Sequence, residues 1–277
     1  MAVSYEILST DIEYQRPGGK PLLARLYRPR GAGPFPAIVS VHGGGWNIND
    51  RTSNAALDQP IAASGVVVMA IDFRMPPEAR YPASLIDINL AVRWLKANAG
   101  GFASRPEWVG GMGTSSGGHQ IMLSALRPRD LRYTGLPLSA APALDASLAF
   151  VAVGWPVLDP LTRYRMAKER GMAQLVKYHD AFWPSEAAME DANPQLILER
   201  GEKADLPPAF IAQGTNDDNV TPEMADRFVA AYRKAGGWIE LQKFEGQPHT
   251  FVTKDPAAPA SQQAIESFKA FIRRQVS

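Results

Sequence analysis

The 277 residues, 45% hydrophobic and 21% charged, are enough for one large domain with a sizeable core, and the composition is that of an ordinary soluble globular protein. A formal net charge of +1, without Lys-rich or Arg-rich runs, argues against nucleic acid or an anionic membrane as partner. The absence of cysteine excludes disulfides, thiolate catalysis and Cys-ligated metal.

In chain order, MAVSYEILSTDIEYQ shows no basic leader ahead of an apolar run, so no secretion signal is expected. GVVVMAI at 65–71 is too short to span a bilayer, and the expected location is the cytoplasm. Segments around 3–14 and 20–28 alternate apolar and polar residues about RPGG, which predicts an antiparallel hairpin. AIVSV (37–41), VVVMAI (66–71), WVGGM (108–112), LAFVAV (148–153), PAFIAQ (208–213) and WIELQKF (238–244) then read as strands of a buried, mostly parallel sheet.

Helical patterns lie between them. Leu85, Ile88, Val92 and Leu95 share one face, with Gly100 as a stop. Thr221 is the expected N-cap of a helix with Pro222 in its first turn, Met224, Phe228 and Tyr232 on its apolar face, and Gly236 and Gly237 at its end. A last helix near 261–274 groups Ile265, Phe268 and Ile272. This alternation predicts a three-layer α/β fold. From about 155 to 206 no strand is legible, so this stretch is expected as a cap-like insertion over the C-terminal edge of the sheet, where open α/β sheets bind ligands.

Gly113-Thr114-Ser115-Ser116-Gly117 fits G-x-S-x-G, between a predicted strand and a predicted helix. That context suits a nucleophile on a strained turn, with the helix N-terminus beyond it favouring developing negative charge. A phosphate loop would need a lysine that the stretch lacks, and a dinucleotide loop fails at its third glycine.

Of four histidines, His42 follows a strand directly. His119 sits in the helix after Ser115 as a packing residue, and His179 is expected in the insertion near the charged surface. His249, in GQPHTF after the last strand, is the expected base. The acid should come from QGTNDDNVTP, where Asp217 is favoured over Asp218, although either suits a cap on the following helix. In HGGGW, the N–H groups of Gly43 and Gly44, with that of Ser116, are candidates for an oxyanion hole.

These motifs, in this order, resemble the α/β-hydrolases of the hormone-sensitive-lipase-like esterase group. HGGGW is similar to that group's oxyanion motif, IDFRMPPEARYPASLIDINLAVRWL to its Asp-Tyr-Arg-Leu-Ala-Pro-Glu segment and the helix after it, GTSSGG to its nucleophile elbow and the Asp217 loop to its acid loop. The resemblance implies an eight-stranded sheet, no metal and no organic cofactor, with Asp72, Arg74 and Asp87 bracing loops near the site. An early His42 leaves no room for an N-terminal cap, a layout similar to compact bacterial esterases, feruloyl-esterase-like proteins and kynurenine formamidases.

The expected activity is therefore hydrolysis of a small carboxylic ester by Ser115, His249 and Asp217. Trp46, Trp155, Phe182 and Trp183 are candidates for the substrate pocket, or equally for the core. A formamidase or aryl-acylamidase with the same triad is the alternative, and a non-catalytic binding protein on this fold is the rival from another class.

Overall fold

The structure is a computed structural model that describes residues 4–276. Residue 3, where the first predicted strand begins, lies outside them. The strands are β1 (Ile7–Gln15), β2 (Leu22–Pro29), β3 (Ala37–Val41), β4 (Val67–Ile71), β5 (Val109–Thr114), β6 (Val151–Gly154), β7 (Ala209–Gly214) and β8 (Ile239–Phe244). They form one sheet in the order β1-β2-β4-β3-β5-β6-β7-β8. β1 and β2 pair antiparallel, β2 joins β4 antiparallel, and every pairing from β4 to β8 is parallel.

The helices are α1 (Ala55–Ala63), α2 (Ala83–Asn98), α3 (Ser116–Leu126), α4 (Pro160–Glu169), α5 (Ala173–Phe182), α6 (Glu186–Asp191), α7 (Pro194–Glu199), α8 (Pro222–Lys234), α9 (Phe251–Lys254) and α10 (Pro259–Arg274). Successive strand side chains point to opposite faces of a sheet, so wholly apolar strands must be covered twice. That division is visible residue by residue. Val39, Val41, Val67, Met69, Ile71, Val153 and Ile211 pack with α2, α3 and α8. Ile38, Val68, Ala70, Ala152, Phe210 and Ala212 pack with α1 and α10. The three-layer α/β-hydrolase arrangement expected from the sequence is the one observed.

Several elements differ from expectation: β1 starts at Ile7 rather than around residue 3, and β5 runs on to Thr114. β6 starts at Val151 rather than 148, where its pairing with β7 begins at Ala209. Residues 149 and 150 still bond to the β5 segment, Ala149 N–H donating to Val109 O and Gly111 N–H to Phe150 O. Thr221 occupies the N-cap position of α8 but makes no side-chain capping bond.

The parallel register aligns Val41 with Gly113, Thr114 with Gly154 and Gly214 with Phe244. The segments leaving β3, β5, β7 and β8 thus emerge along one edge. No strand lies between β6 and β7, where α4 to α7 follow one another. Among the described residues no helix is long and apolar enough to cross a membrane.

Candidate active site

At the end of β5 the chain turns into α3 within one residue. Ser115 makes this turn with φ +51° and ψ −119°, a conformation that side-chain-bearing residues rarely adopt. Its N–H donates to Gly154 O, and its carbonyl accepts from the amides of His119 and Val157, so the strained residue is held on both sides. Glycine is required at Gly117, where a Cβ would lie 2.2 Å from Val41 O and 2.4 Å from His42 O.

Ser115 Oγ lies 3.0 Å from His249 Nε2, and His249 Nδ1 lies 2.7 Å from Asp217 Oδ2. With the Nδ1 proton donated to Asp217, Nε2 is left to accept from the serine. Asp217 is buried and also accepts from Gln213 Nε2 and from the amides of Asn219 and Val220, whereas Asp218 is exposed. One carboxylate therefore faces the imidazole and also braces the turn before α8. Trp155 lies edge-on to the His249 ring, with centroids 6.5 Å apart.

The loop after β3 approaches from the other side. Gly43 O accepts from His42 Nδ1 at 2.7 Å and from Asn49 Nδ2 at 3.3 Å. In a planar trans peptide the N–H opposes the C=O, so the Gly44 N–H points away from both donors. Gly44 itself sits at φ +113°, and a Cβ there would lie 2.2 Å from Ile48 O. Gly43, Gly44, Ser115 and His249 border one cavity of about 210 Å³. The rest of its wall includes Asn49, Asn54, Thr114 and Asn219, with Arg163, Leu175 and Tyr178 from the insertion.

The four aromatics that were candidates equally for the pocket and for the core are not in this wall. Trp46, at φ +67°, turns its indole inward to stack on Phe182 (centroids 5.4 Å apart) and to meet Trp183 and His119 edge-on. All three tryptophans and Phe182 are at most 2% exposed. Trp46, Phe182 and Trp183 join the loop after β3 to the insertion, and Trp155 packs on Phe251. Burial of broad apolar rings outweighed their presentation to a small cavity.

The other histidines are structural in geometry. His119 Nδ1 accepts from Trp46 Nε1, its Nε2 donates to Ala192 O, and burial lowers its pKa to about 4. His179 is fully buried, not near the charged surface as expected, and burial, then the neighbouring Arg163, lower its pKa to about 2. His42 stacks on Phe73, and burial lowers its pKa. Of the bracing residues, Arg74 binds Asp87 and Asp72 binds Arg51.

Sequence reasoning missed a polar chain behind the elbow. Thr114 Oγ1 donates to Asn54 Oδ1 at 2.9 Å, Asn54 Nδ2 reaches Val41 O at 3.3 Å and Ser40 Oγ at 3.4 Å, and Ser40 Oγ donates to Asp58 Oδ1 at 2.7 Å. Asp58 is wholly buried, which pushes its pKa up to about 8. The one available signal was an aspartate in the largely apolar stretch AALDQPIAA, a pattern too common to single out a residue. Arg163 was missed as well, because nothing in the insertion's text marks it.

Comparison with known proteins gives concordant matches. The family model BD-FAE matches residues 25–232. "Probable carboxylic ester hydrolase LipM" of Mycobacterium tuberculosis is 29% identical over 73% of this chain and 46% of its own length. The chain thus spans about half the length of the curated relatives it matches. Among solved structures, a thermophilic esterase of Thermogutta terrifontis, Est2, superposes with a TM-score of 0.77 at 24% identity, covering 98% of this chain and 94% of that one. A hyperthermophilic esterase from Pyrobaculum calidifontis gives a TM-score of 0.80 at 20% identity, covering 98% and 87%.

Proposed function

The chain belongs to the BD-FAE family, and from that membership and the geometry of its site we propose that it is a serine carboxylesterase acting on small esters through an acyl-enzyme. The observation that carries this reading is the continuous hydrogen-bonded chain from Ser115 through His249 to Asp217. Ser115 Oγ attacks the ester carbonyl as His249 Nε2 takes its proton, and the alcohol departs with that proton. Water then attacks the acyl-enzyme with His249 again as base, and His249 returns that proton to Ser115 Oγ as the acyl–Oγ bond breaks and the carboxylic acid leaves. Asp217 holds the imidazole tautomer, and the N–H groups of Gly43, Gly44 and Ser116 receive the oxyanion. The chain is read as a single domain on which the insertion at about 155–206 serves as a small cap.

A cavity of about 210 Å³ with Leu175 as its one aliphatic wall residue favours a short acyl group. Turnover of p-nitrophenyl acetate, butyrate and octanoate tests this, with kcat/KM for octanoate expected at least about tenfold below that for butyrate. A fluorophosphonate adduct should form on the peptide carrying Ser115. A clear preference for N-formylkynurenine over the acetate would reassign the site to amide chemistry. Neither turnover nor adduct would favour a binding protein.

Gly44→Ala addresses the oxyanion loop. The new methyl must displace Ile48 O or the backbone must leave φ +113°. Either movement swings the residue-44 N–H, so kcat should fall about 100-fold or more with little change in KM, as steady-state kinetics would read. Wild-type kcat in this variant would remove Gly44 from the oxyanion hole.

A further inference from the structure

The insertion sends one charged side chain into the centre of the site. Arg163, on α4, is 1% exposed. Among the described residues its hydrogen-bond partners are neutral. Nε donates to the backbone carbonyl and to Oδ1 of Asn219 at 3.2 and 3.0 Å, Nη2 donates to the same Oδ1, and Nη1 lies 2.9 Å from His179 Nε2. Its guanidinium also lies over the Trp46 ring, 5.7 Å from the centroid. A low pKa keeps His179 neutral and thus able to accept.

A guanidinium stripped of water without a contacting carboxylate is strongly unfavourable unless another charge offsets it. Here that charge lies one residue away. The Asn219 N–H donates to Asp217 Oδ1 at 3.0 Å, so Asn219 receives from Arg163 on its oxygens and donates to Asp217 from its amide. Burial lowers the Arg163 pKa to about 10, and the Asp217 charge acts in the opposite sense. The two buried charges therefore face each other through a single relay residue.

We propose that Arg163 is a positioning residue of the triad, a cation carried by the insertion that clamps the acid loop through Asn219 and balances the charge of Asp217. The inference rests on the proposed role of Asp217. It makes the insertion part of the catalytic assembly, not only a cover. The fork geometry explains the choice of arginine: one planar group bridges both oxygens of Asn219, the imidazole of His179 and the face of Trp46, which a point-charge ammonium does not reproduce.

A double-mutant cycle of Arg163→Met and Asp217→Asn, read as kcat and KM on p-nitrophenyl acetate, tests the proposal. Arg163→Met should lower kcat about 10- to 100-fold with KM within about threefold, and Arg163→Lys, retaining charge without the fork, should recover part of the loss. In the Asp217→Asn background the same Arg163→Met change should cost less than about threefold, because residues acting through one another are non-additive. Losses that simply multiply would overturn the proposal. Amide exchange followed by mass spectrometry supplies a readout independent of turnover. Arg163→Met should speed exchange across residues 215–221 and leave α2 unchanged, and unaltered exchange at 215–221 would overturn the clamp. If wild-type protein hydrolyses no ester, the esterase reading fails by itself, and the exchange result alone decides whether Arg163 holds the loop.

Discussion

Ser115→Ala is expected to lower kcat for p-nitrophenyl acetate by about 10⁴- to 10⁶-fold and to abolish fluorophosphonate labelling, with the melting temperature nearly unchanged. Only one oxygen is lost, and the backbone bonds that hold the elbow, from Ser115 N–H to Gly154 O and from the His119 and Val157 amides to Ser115 O, do not involve the side chain. His249→Ala should cost a similar factor, since without Nε2 the hydroxyl keeps its proton. The double variant should be no worse than either single one, because the pair acts as a unit. Asp217→Asn should fall less far, by about 10⁴-fold, through a misdirected imidazole tautomer. Residual activity of Ser115→Ala within tenfold of wild type would mean that another group performs the attack.

The second large effect is on stability. Asp58→Asn should stabilise the fold increasingly as pH rises from about 4 to about 8, as urea denaturation at fixed pH values would show. Burial raises the Asp58 pKa from the ordinary 3.8 to about 8 in the folded chain. Between those values the unfolded chain releases the proton while the folded chain keeps it. The group's contribution is therefore fully present below about pH 4 and is lost as pH rises toward 8. At about 1.4 kcal/mol per tenfold change in proton affinity, the penalty approaches about 5 kcal/mol at the upper end. An asparagine carries no such penalty and still offers Oδ1 to the Ser40 hydroxyl that now donates to Asp58. A difference between variant and wild type that stays flat from pH 4 to pH 8 would show that Asp58 ionises normally. Asp58 ends the chain of hydrogen bonds that begins at Thr114, beside Ser115, and Thr114 and Asn54 of that chain line the cavity.

Much of the site was legible because its signals are local. G-x-S-x-G between a strand and a helix names Ser115 without knowledge of any distant contact. HGGG after a strand points to the proposed oxyanion loop, and chain order points to the proposed acid loop and to His249. The choice between Asp217 and Asp218 was not local. Adjacent carboxylates in a turn have nearly the same text, and only the side on which the loop docks decides which is buried against the imidazole.

Strand and helix positions, the two-sided burial of the sheet and the order of the motifs follow from the sequence by itself, because they rest on periodicity and turn chemistry within a few residues. Tertiary structure alone decided the fate of Trp46, Phe182 and Trp183, which close a buried joint between loop and insertion instead of lining a pocket. It alone revealed Arg163 reaching Asn219, 56 residues away, and Asp58 on α1 reaching Ser40 on β3, 18 residues away. Contacts of that kind depend on how elements pack and leave no spacing in the chain to read, since any exposed arginine or aspartate would look the same until folding removes the water around it.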